Sequence, residues 1–433
     1  MSELFQLNIE VIKQRWPEIA TRIQAQDITQ LDAVLVEGVQ QTISVNGIQL
    51  SSRYDRIAEA QLFIDTLPTK LALNVTVYGV GMGDVPSLLV EQGNIDSIKV
   101  GLFNLALFSL LIHYTDQTQW LSCEQLELVD LQTMQFLDSV YIAITPELRL
   151  VSDHNARLRD LIVFEQNREY ANKQHHLDDP KLMARLETSL PFLQQDPDAA
   201  DLSKDHNCDK ALVIGSGPSL EQHYDYLIVQ QGRPKGQRPL IIAVDTSVNA
   251  LMSRDIVPDI VVSIEYNIAL KHFPEPLPKR AALVYFPRLS AEVLQAWPGP
   301  RFSAYSQSHF YDALNTSHPK LRLFTNGSVL HPAVALAVYL QATDITLLGC
   351  DFSYPFNKTH AFWADGSLGP SAAHNKKHWV LNGLGQRVAT DINFIGYLRS
   401  LEHFIESQPQ VNFYQSSLAG AKIQGASYRE CTI

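Results

Sequence analysis

Residues 211–227 read ALVIGSGPSLEQHYDYL, and the fold is decided there. ALVIG is an apolar run of strand length, Gly215 and Gly217 turn the chain tightly, and Pro218 to Leu227 has the pattern of a helix. A strand, a glycine turn and a helix in that order open a parallel α/β unit. Pro218 suits the first helical turn, where a missing N–H costs little. Gly215 and Gly217 leave no side chain between the backbone amides and a phosphate, although a tight turn alone would also use two glycines. Ser216 and Ser219 can cap the helix or bond an anion at its positive end. The third glycine of the dinucleotide fingerprint is missing, which counts against NAD.

The alternation continues to the end of the chain. LIIAVD (240–245), DIVVSIE (259–265), ALVYF (282–286) and ITLLGCD (345–351) read as strands, with helices predicted over Ser247–Arg254, His331–Leu340 and Asp391–Ser407. The expectation is a doubly wound, mainly parallel, Rossmann-like α/β domain over 206–433, closing with a helical segment. Upstream, LNVTVYGVGMGDVPSLLVEQG (73–93) repeats the strand, glycine turn and helix, so 1–150 is expected to hold a smaller Rossmann-like domain. Its second strand, SIKVGLFN (97–104), ends without the acidic residue that would hold a ribose, so no ligand is assigned to it. Residues 1 to about 65 read as mainly helical around a hairpin at Ser44–Asn46–Gly47. Residues 151–205 read as a helical connector, and Gln194–Lys210 as a polar, acidic linker.

Composition narrows the class. Of 433 residues 45% are hydrophobic and 18% charged, and the formal net charge of −12 argues against broad nucleic-acid or anionic-membrane binding. The four cysteines, Cys123, Cys208, Cys350 and Cys431, lack CxxC spacing, so neither zinc knuckle nor disulfide framework is expected. The amino terminus lacks signal-peptide order, and Val100–Ile112, interrupted by Asn104 and Ser109, is too short to span a bilayer and reads as a buried helix. A cytoplasmic location is the expectation. No GxxxxGK[ST] or GxSxG occurs, which counts against a P-loop ATPase and an α/β-hydrolase.

Candidate site residues follow the strands. Asp245 closes a buried strand, where an acid needs a partner, either a ligand hydroxyl or the helix start at Ser247. Glu265 leaves the next strand at the same edge, where a structural ion pair would explain it equally well. Thr325, Asn326, Gly327 and Ser328 form a polar turn ahead of a helix, a second place where amides and hydroxyls can meet an anion. Asp351 ends another apolar strand, with Tyr354 and His360 in the loop beyond. A histidine there can act as general base, its ordinary pKa lying near neutrality. His331, His374 and His378 are further candidates. No cluster has metal-ligand spacing.

As an ordered set, GSGPSL, AVDTSVNAL, PDIVVSIE, the 325–361 stretch TNGSVLHPAVALAVYLQATDITLLGCDFSYPFNKTHA and AGAKIQG (419–425) resembles the motility-associated factors that glycosylate flagellin. SSRYDRIAEAQLFI (51–64) is similar to a stretch those proteins carry ahead of their first glycine turn. The resemblance runs from about residue 50 to the end and is densest between 211 and 425. It implies transfer of a nonulosonic acid, such as pseudaminic or legionaminic acid, from a CMP-activated donor to flagellin Ser or Thr hydroxyls, with inversion and with no required cofactor. The central domain also looks like bacterial CMP-sialic-acid sialyltransferases: their glycine turn matches Gly215–Ser219, and their Thr-Ser-Gly turn matches Thr325–Gly327 with Asn326 in place of Ser. Their Gly-x-Asp-Phe segment matches Gly349–Phe352. Their histidine base falls in a later loop, nearest His374 or His378, whereas His360 fits the motility-factor pattern. A similarity to 6-hydroxymethylpterin diphosphokinase implies, as the alternative, ATP- and Mg²⁺-dependent pyrophosphoryl transfer. A non-catalytic flagellin-binding factor is a third reading.

Overall fold

The computed structural model describes residues 2–68, 73–134, 137–173, 180–206, 208–362 and 378–432. They form two compact units, Met1–Gln166 and Asn167–Ile433, so the stretch expected as a connector divides between them.

Unit 1 opens with helices Glu3–Arg15 and Pro17–Gln24. The mainly helical reading of 1–65 holds only in part, because Ala33–Val36, Thr42–Val45 and Ile48–Gln49 pair as an antiparallel meander. AVLV at 33–36 is strand-prone even though exposed, and Asn46 and Gly47 take positive φ (52° and 76°), as a two-residue hairpin requires. The central sheet is parallel: β1 Leu73–Tyr78, β2 Ile95–Leu102, β3 Leu126–Asp130 and β4 Tyr141–Ala143, in the order β3-β2-β1-β4. Val100–Ile112 is not one helix. Its start finishes β2, and Asn104 then caps Leu105–Tyr114, its side chain accepting from the amides of Ala106 and Leu107. Periodicity cannot separate a buried strand from a buried helix when both are apolar throughout.

Unit 2 is an eight-stranded parallel sheet: β5 Lys210–Ile214, β6 Leu240–Val244, β7 Ile260–Ser263, β8 Ala282–Tyr285, β9 Arg301–Ser303, β10 Asp344–Leu348, β11 Asn412–Gln415 and β12 Ala426–Tyr428. The order is β9-β8-β7-β6-β5-β10-β11-β12. β6, β7 and β8 are buried at every residue, as strands covered on both faces must be, and their sequences are unbroken apolar runs for that reason. The chain leaves β5 toward β6 and leaves β10 toward β11, so the direction of winding reverses between β5 and β10. In unit 1 it reverses between β1 and β4. Ligands of open α/β sheets bind in the crevice outside the strands' carboxyl ends at such a point.

The expected linker Gln194–Lys210 is packed rather than free. Asp196 accepts two bonds from the Arg301 guanidinium (2.9 Å each) and one from the Tyr285 hydroxyl (3.1 Å), and Asp198 accepts from the Leu321 amide (2.8 Å). Its polar composition records specific partners about a hundred residues away. All four cysteines are free. Among the described residues no helix is long and apolar enough to cross a membrane.

Candidate functional site at the winding reversal of unit 2

The turn after β5 is built on its neighbour across the reversal. Gly215 N–H donates to Leu348 O (2.8 Å) and Gly217 N–H to Gly349 O (2.7 Å). A Cβ on Gly215 would lie 2.5 Å from Gly349 O, and one on Gly217 would lie 2.4 Å from Asp351 Oδ2. The two glycines therefore let the ends of β5 and β10 approach, and their amides serve that contact rather than standing free for a phosphate. Asp351, 3% exposed, completes the turn: Oδ2 accepts the Ser219 amide (2.8 Å), and burial raises its pKa to about 6 against the lowering effect of that bond. Pro218 and Ser219 are buried. Among the described residues Ser216 is left as the turn residue whose amide has no protein acceptor, and its carbonyl holds the Ala361 amide (2.8 Å).

That last bond brings the loop carrying His360 over the turn. A cavity of about 240 Å³ opens beside it. Gly215, Ser216, Gly217, Asp245, Glu265, Gly327, Ser328, Asp351 and His360 all line it, so nine of the sequence-derived candidates converge on one hollow. Pro218, Ser219, Ser247, Thr325 and Asn326 do not line it. Ser247 is buried, its hydroxyl donating to Val244 O (2.7 Å) as part of the turn after β6. Asp245, 2% exposed, accepts from Ser263 Oγ and the Thr246 amide, each at 2.7 Å. Burial pushes its pKa up to about 7 against those two bonds, and the Glu265 charge adds to the rise. It can thus stand protonated near neutrality and offer a hydroxyl to a ligand.

The Thr325–Ser328 turn is set by a histidine. His331, fully buried, accepts the Asn326 amide at Nδ1 (3.0 Å) and donates from Nε2 to Tyr397 O (2.9 Å). Burial lowers its pKa to about 4, so it is a neutral clamp between this turn and the helix Ile392–Glu406. Asn326 Nδ2 adds a bond to Ser400 Oγ (2.6 Å), and Gly327, at φ 80°, packs its Cα side against Tyr397, where a Cβ would meet Cε1 at 2.6 Å. Among the described residues the amides of Gly327, Ser328 and Val329 have no protein acceptor, and they precede the ten-residue helix Leu330–Tyr339. These amides, more than those of the glycine turn, form the cavity's anion-attracting end.

His360 lines the cavity with its Nδ1 buried and without a hydrogen-bond partner among the described residues. Burial lowers its pKa to about 4. His378 begins a two-stranded antiparallel ribbon with Arg387–Thr390 and is not among the cavity residues, and His374 lies outside the described residues. Phe394 and Tyr397 also line the cavity, and sequence reading missed both. They sit at the start of the long carboxyl-terminal helix, and nothing in their local spacing points to the sheet edge. Among the described residues no group of three or more His, Cys, Asp or Glu could hold a metal ion.

The glycine turn of unit 1 has a different fate. Glu147, 4% exposed, follows β4 and places Oε1 2.6 Å from both the Val80 and the Gly81 amide. The protein's own carboxylate occupies the position a phosphate would take. Burial raises its pKa to about 7 despite the two bonds. At the opposite, amino edge of the unit 2 sheet a larger hollow of about 630 Å³ is lined by Lys210, Arg233, Lys235, Arg238 and Arg429, far from every candidate residue. Arg238 and Arg429 are paired there with Asp259 and Asp344.

Fold and cavity together define a doubly wound α/β protein whose site lies where the winding reverses, the arrangement in which such proteins hold nucleotides and related ligands. Residues 185–357 match a protein family described as 6-hydroxymethylpterin diphosphokinase MptE-like. Over 99% of its length the chain is similar to the structure of a MAf glycosyltransferase from Magnetospirillum magneticum AMB-1, of which it covers 74%, with 15% identity and a TM-score of 0.45. No curated protein matches the sequence.

Proposed function

We propose that unit 2 is a glycosyltransferase that moves a nonulosonic acid from a CMP-linked donor to a Ser or Thr hydroxyl of flagellin. The observation that carries this reading is the meeting, in one cavity, of unengaged amides at a helix start, an acid protonated near neutrality and a histidine with a free ring nitrogen. The Gly327–Val329 amides would take the donor's anionic group, and Asp245 a ribose or sugar hydroxyl. The acceptor oxygen attacks the anomeric carbon, the bond from that carbon to the phosphate oxygen breaks, and CMP leaves with the electron pair. His360 takes the acceptor's proton. An imidazole of pKa about 4 is a weak base, but an anion held beside it favours the charged form and raises that value toward neutrality. Asp351 acts by holding the glycine turn, and the scheme needs no metal.

The match of residues 185–357 to the diphosphokinase-like family supports a second reading, pyrophosphoryl transfer from ATP with Mg²⁺ to a hydroxymethyl pterin. One assay separates the two. Purified protein is given CMP-pseudaminic, CMP-legionaminic or CMP-N-acetylneuraminic acid with flagellin, or ATP, Mg²⁺ and 6-hydroxymethyl-dihydropterin, and release of CMP or AMP is followed. We expect CMP release with a matching mass increase on flagellin, and a loss of about 10²–10⁴ in kcat, with little change in KM, for His360→Gln. AMP release with the pterin moves the assignment to the kinase. Flagellin binding without turnover leaves a non-catalytic factor.

A further inference from the structure

A ligand that is both a phosphate ester and a sugar acid brings more than one negative charge into a cavity whose described lining includes Asp245, Glu265 and Asp351 but neither lysine nor arginine. A cation stands directly behind that wall. Arg288 follows the carboxyl end of β8 as Glu265 follows that of its neighbour β7, so adjacent parallel strands deliver both to the site edge. Nη2 of Arg288 lies 3.8 Å from Glu265 Oε2, an ion pair too long to be a hydrogen bond. Its Nε is buried with no hydrogen-bond partner among the described residues, while the guanidinium carbon lies 5.9 Å from the Tyr266 ring centre. Tyr311 lies within reach of both charges, Arg288 and Glu265; it is 3% exposed, and its hydroxyl is also buried without a partner among the described residues. Its ring is fixed edge-on to Phe286 and stacked on Tyr305, so the hydroxyl's direction is set by packing.

Buried polar groups in folded proteins are nearly always satisfied, and two unsatisfied donors beside a stretched ion pair whose carboxylate lines the cavity are the signature of a missing acceptor. We propose that Arg288 and Tyr311 form the anion-recognising pair of this site, with Glu265 holding the guanidinium until a ligand carboxylate or phosphate takes its place. An arginine fork matches either group with two parallel bonds, and the phenol supplies a third donor. Glu265 is then a stand-in for the ligand's negative charge. The inference rests on the reading of the cavity as a donor site.

The test is calorimetric titration of the full-length protein with cytidine, CMP and CMP-N-acetylneuraminic acid, in the wild type and in Arg288→Gln, Arg288→Lys, Tyr311→Phe and Glu265→Gln. Arg288→Gln is expected to weaken the charged probes by about tenfold or more, as loss of a charge-assisted bidentate contact does, with cytidine unchanged. A loss already present with CMP assigns the pair to phosphate, and a loss confined to CMP-N-acetylneuraminic acid assigns it to the carboxylate. Arg288→Lys should recover part of the loss, Tyr311→Phe should lose less, and Glu265→Gln should tighten the charged probes, which a merely structural Arg288 would not produce. Parallel weakening of all three probes, or no change in any, overturns the proposal. Should the wild type bind ATP in place of CMP, the donor reading fails and the pair is tested by ATP against adenosine. Binding of none of these probes overturns both.

Discussion

Glu147→Ala is expected to lower the melting temperature of unit 1 by about 10 °C, and Glu147→Gln to lower it far less. Alanine leaves the Val80 and Gly81 amides buried without an acceptor, each costing about 1–3 kcal/mol, and opens a small cavity. At roughly 2–4 °C per kcal/mol for a unit of this size, the fall is well within reach of calorimetry. Glutamine keeps one oxygen for both amides. The same residue sets a pH dependence. Its folded pKa of about 7 lies above its ordinary value of 4.5, so between those values the native state holds a proton that the unfolded state has released. Stability is therefore greatest on the acid side and falls as pH rises to about 7, by roughly 3 kcal/mol if the shift is near 2.5 units. The wild type should lose stability relative to Glu147→Gln between pH 5 and pH 8. A difference between the two that is flat or of opposite sign over that range would remove the buried-carboxylate account.

Gly217→Ala is the substitution expected to do most harm in unit 2. The added Cβ would lie 2.4 Å from Asp351 Oδ2 and 2.7 Å from Gly349 O, the second a backbone atom at the end of β10 that cannot rotate aside. Gly217 has φ −65°, an angle any residue adopts, so the clash alone decides the outcome. Relief requires parting the two strand ends or displacing Asp351 from the Ser219 amide. Overpacking of this kind costs about 1–3 kcal/mol, and loss of the buried hydrogen bond adds a comparable amount, giving a fall of about 5–10 °C. Binding of CMP should weaken in parallel, because the turn carries Ser216 and the contact that positions the His360 loop. Gly236→Ala is the control, since a Cβ there meets nothing within 4 Å. Equal melting temperatures for the two variants would show that the strand ends can part freely.

Five of the eight strands of unit 2 were legible because a parallel sheet covered on both faces demands unbroken apolar runs, as in LIIAV, IVVS and ALVY, whereas Arg301–Ser303, Asn412–Gln415 and Ala426–Tyr428, toward the ends of the sheet, lack such runs and were not read. The convergence of Asp245, Glu265, Gly327 and His360 was legible for a related reason. Residues that follow parallel strands arrive at one edge, whatever their separation in sequence. What sequence could not supply is the direction of side chains across the winding reversal. Glu147 acts on an amide 67 residues away and Asp351 on one 132 residues away, so nothing in the sequence showed that an acid closes each glycine turn. His331 likewise gave no sign that its ring joins the 325–328 turn to the carboxyl-terminal helix. Arg288 and Tyr311 escaped notice because neither belongs to a motif, and their interest lies in bonds they do not make. The linker reading of Gln194–Lys210 failed for the converse reason, since composition cannot distinguish a solvated acid from one held by Arg301.

The hollows at the two edges of the unit 2 sheet differ in charge. Lys210, Arg233, Lys235, Arg238 and Arg429 outnumber Asp209 and Asp344 around the amino-edge hollow, whereas the described cavity lining at the carboxyl edge has no lysine or arginine and Arg288 stands behind it, paired with Glu265. A nucleotide diffusing toward this protein is drawn to the amino-edge hollow and held off by the chain's net charge of −12, while the cavity, with Asp245 protonated near neutrality and Glu265 paired to Arg288, adds little of either sign. Mobile ions damp both effects beyond a Debye length, about 10 Å at 0.1 M. Stopped-flow association rates for CMP should accordingly rise with added salt, the reverse of the trend for a protein that guides its anionic ligand in, so that capture is slow and selectivity resides in how long the ligand stays.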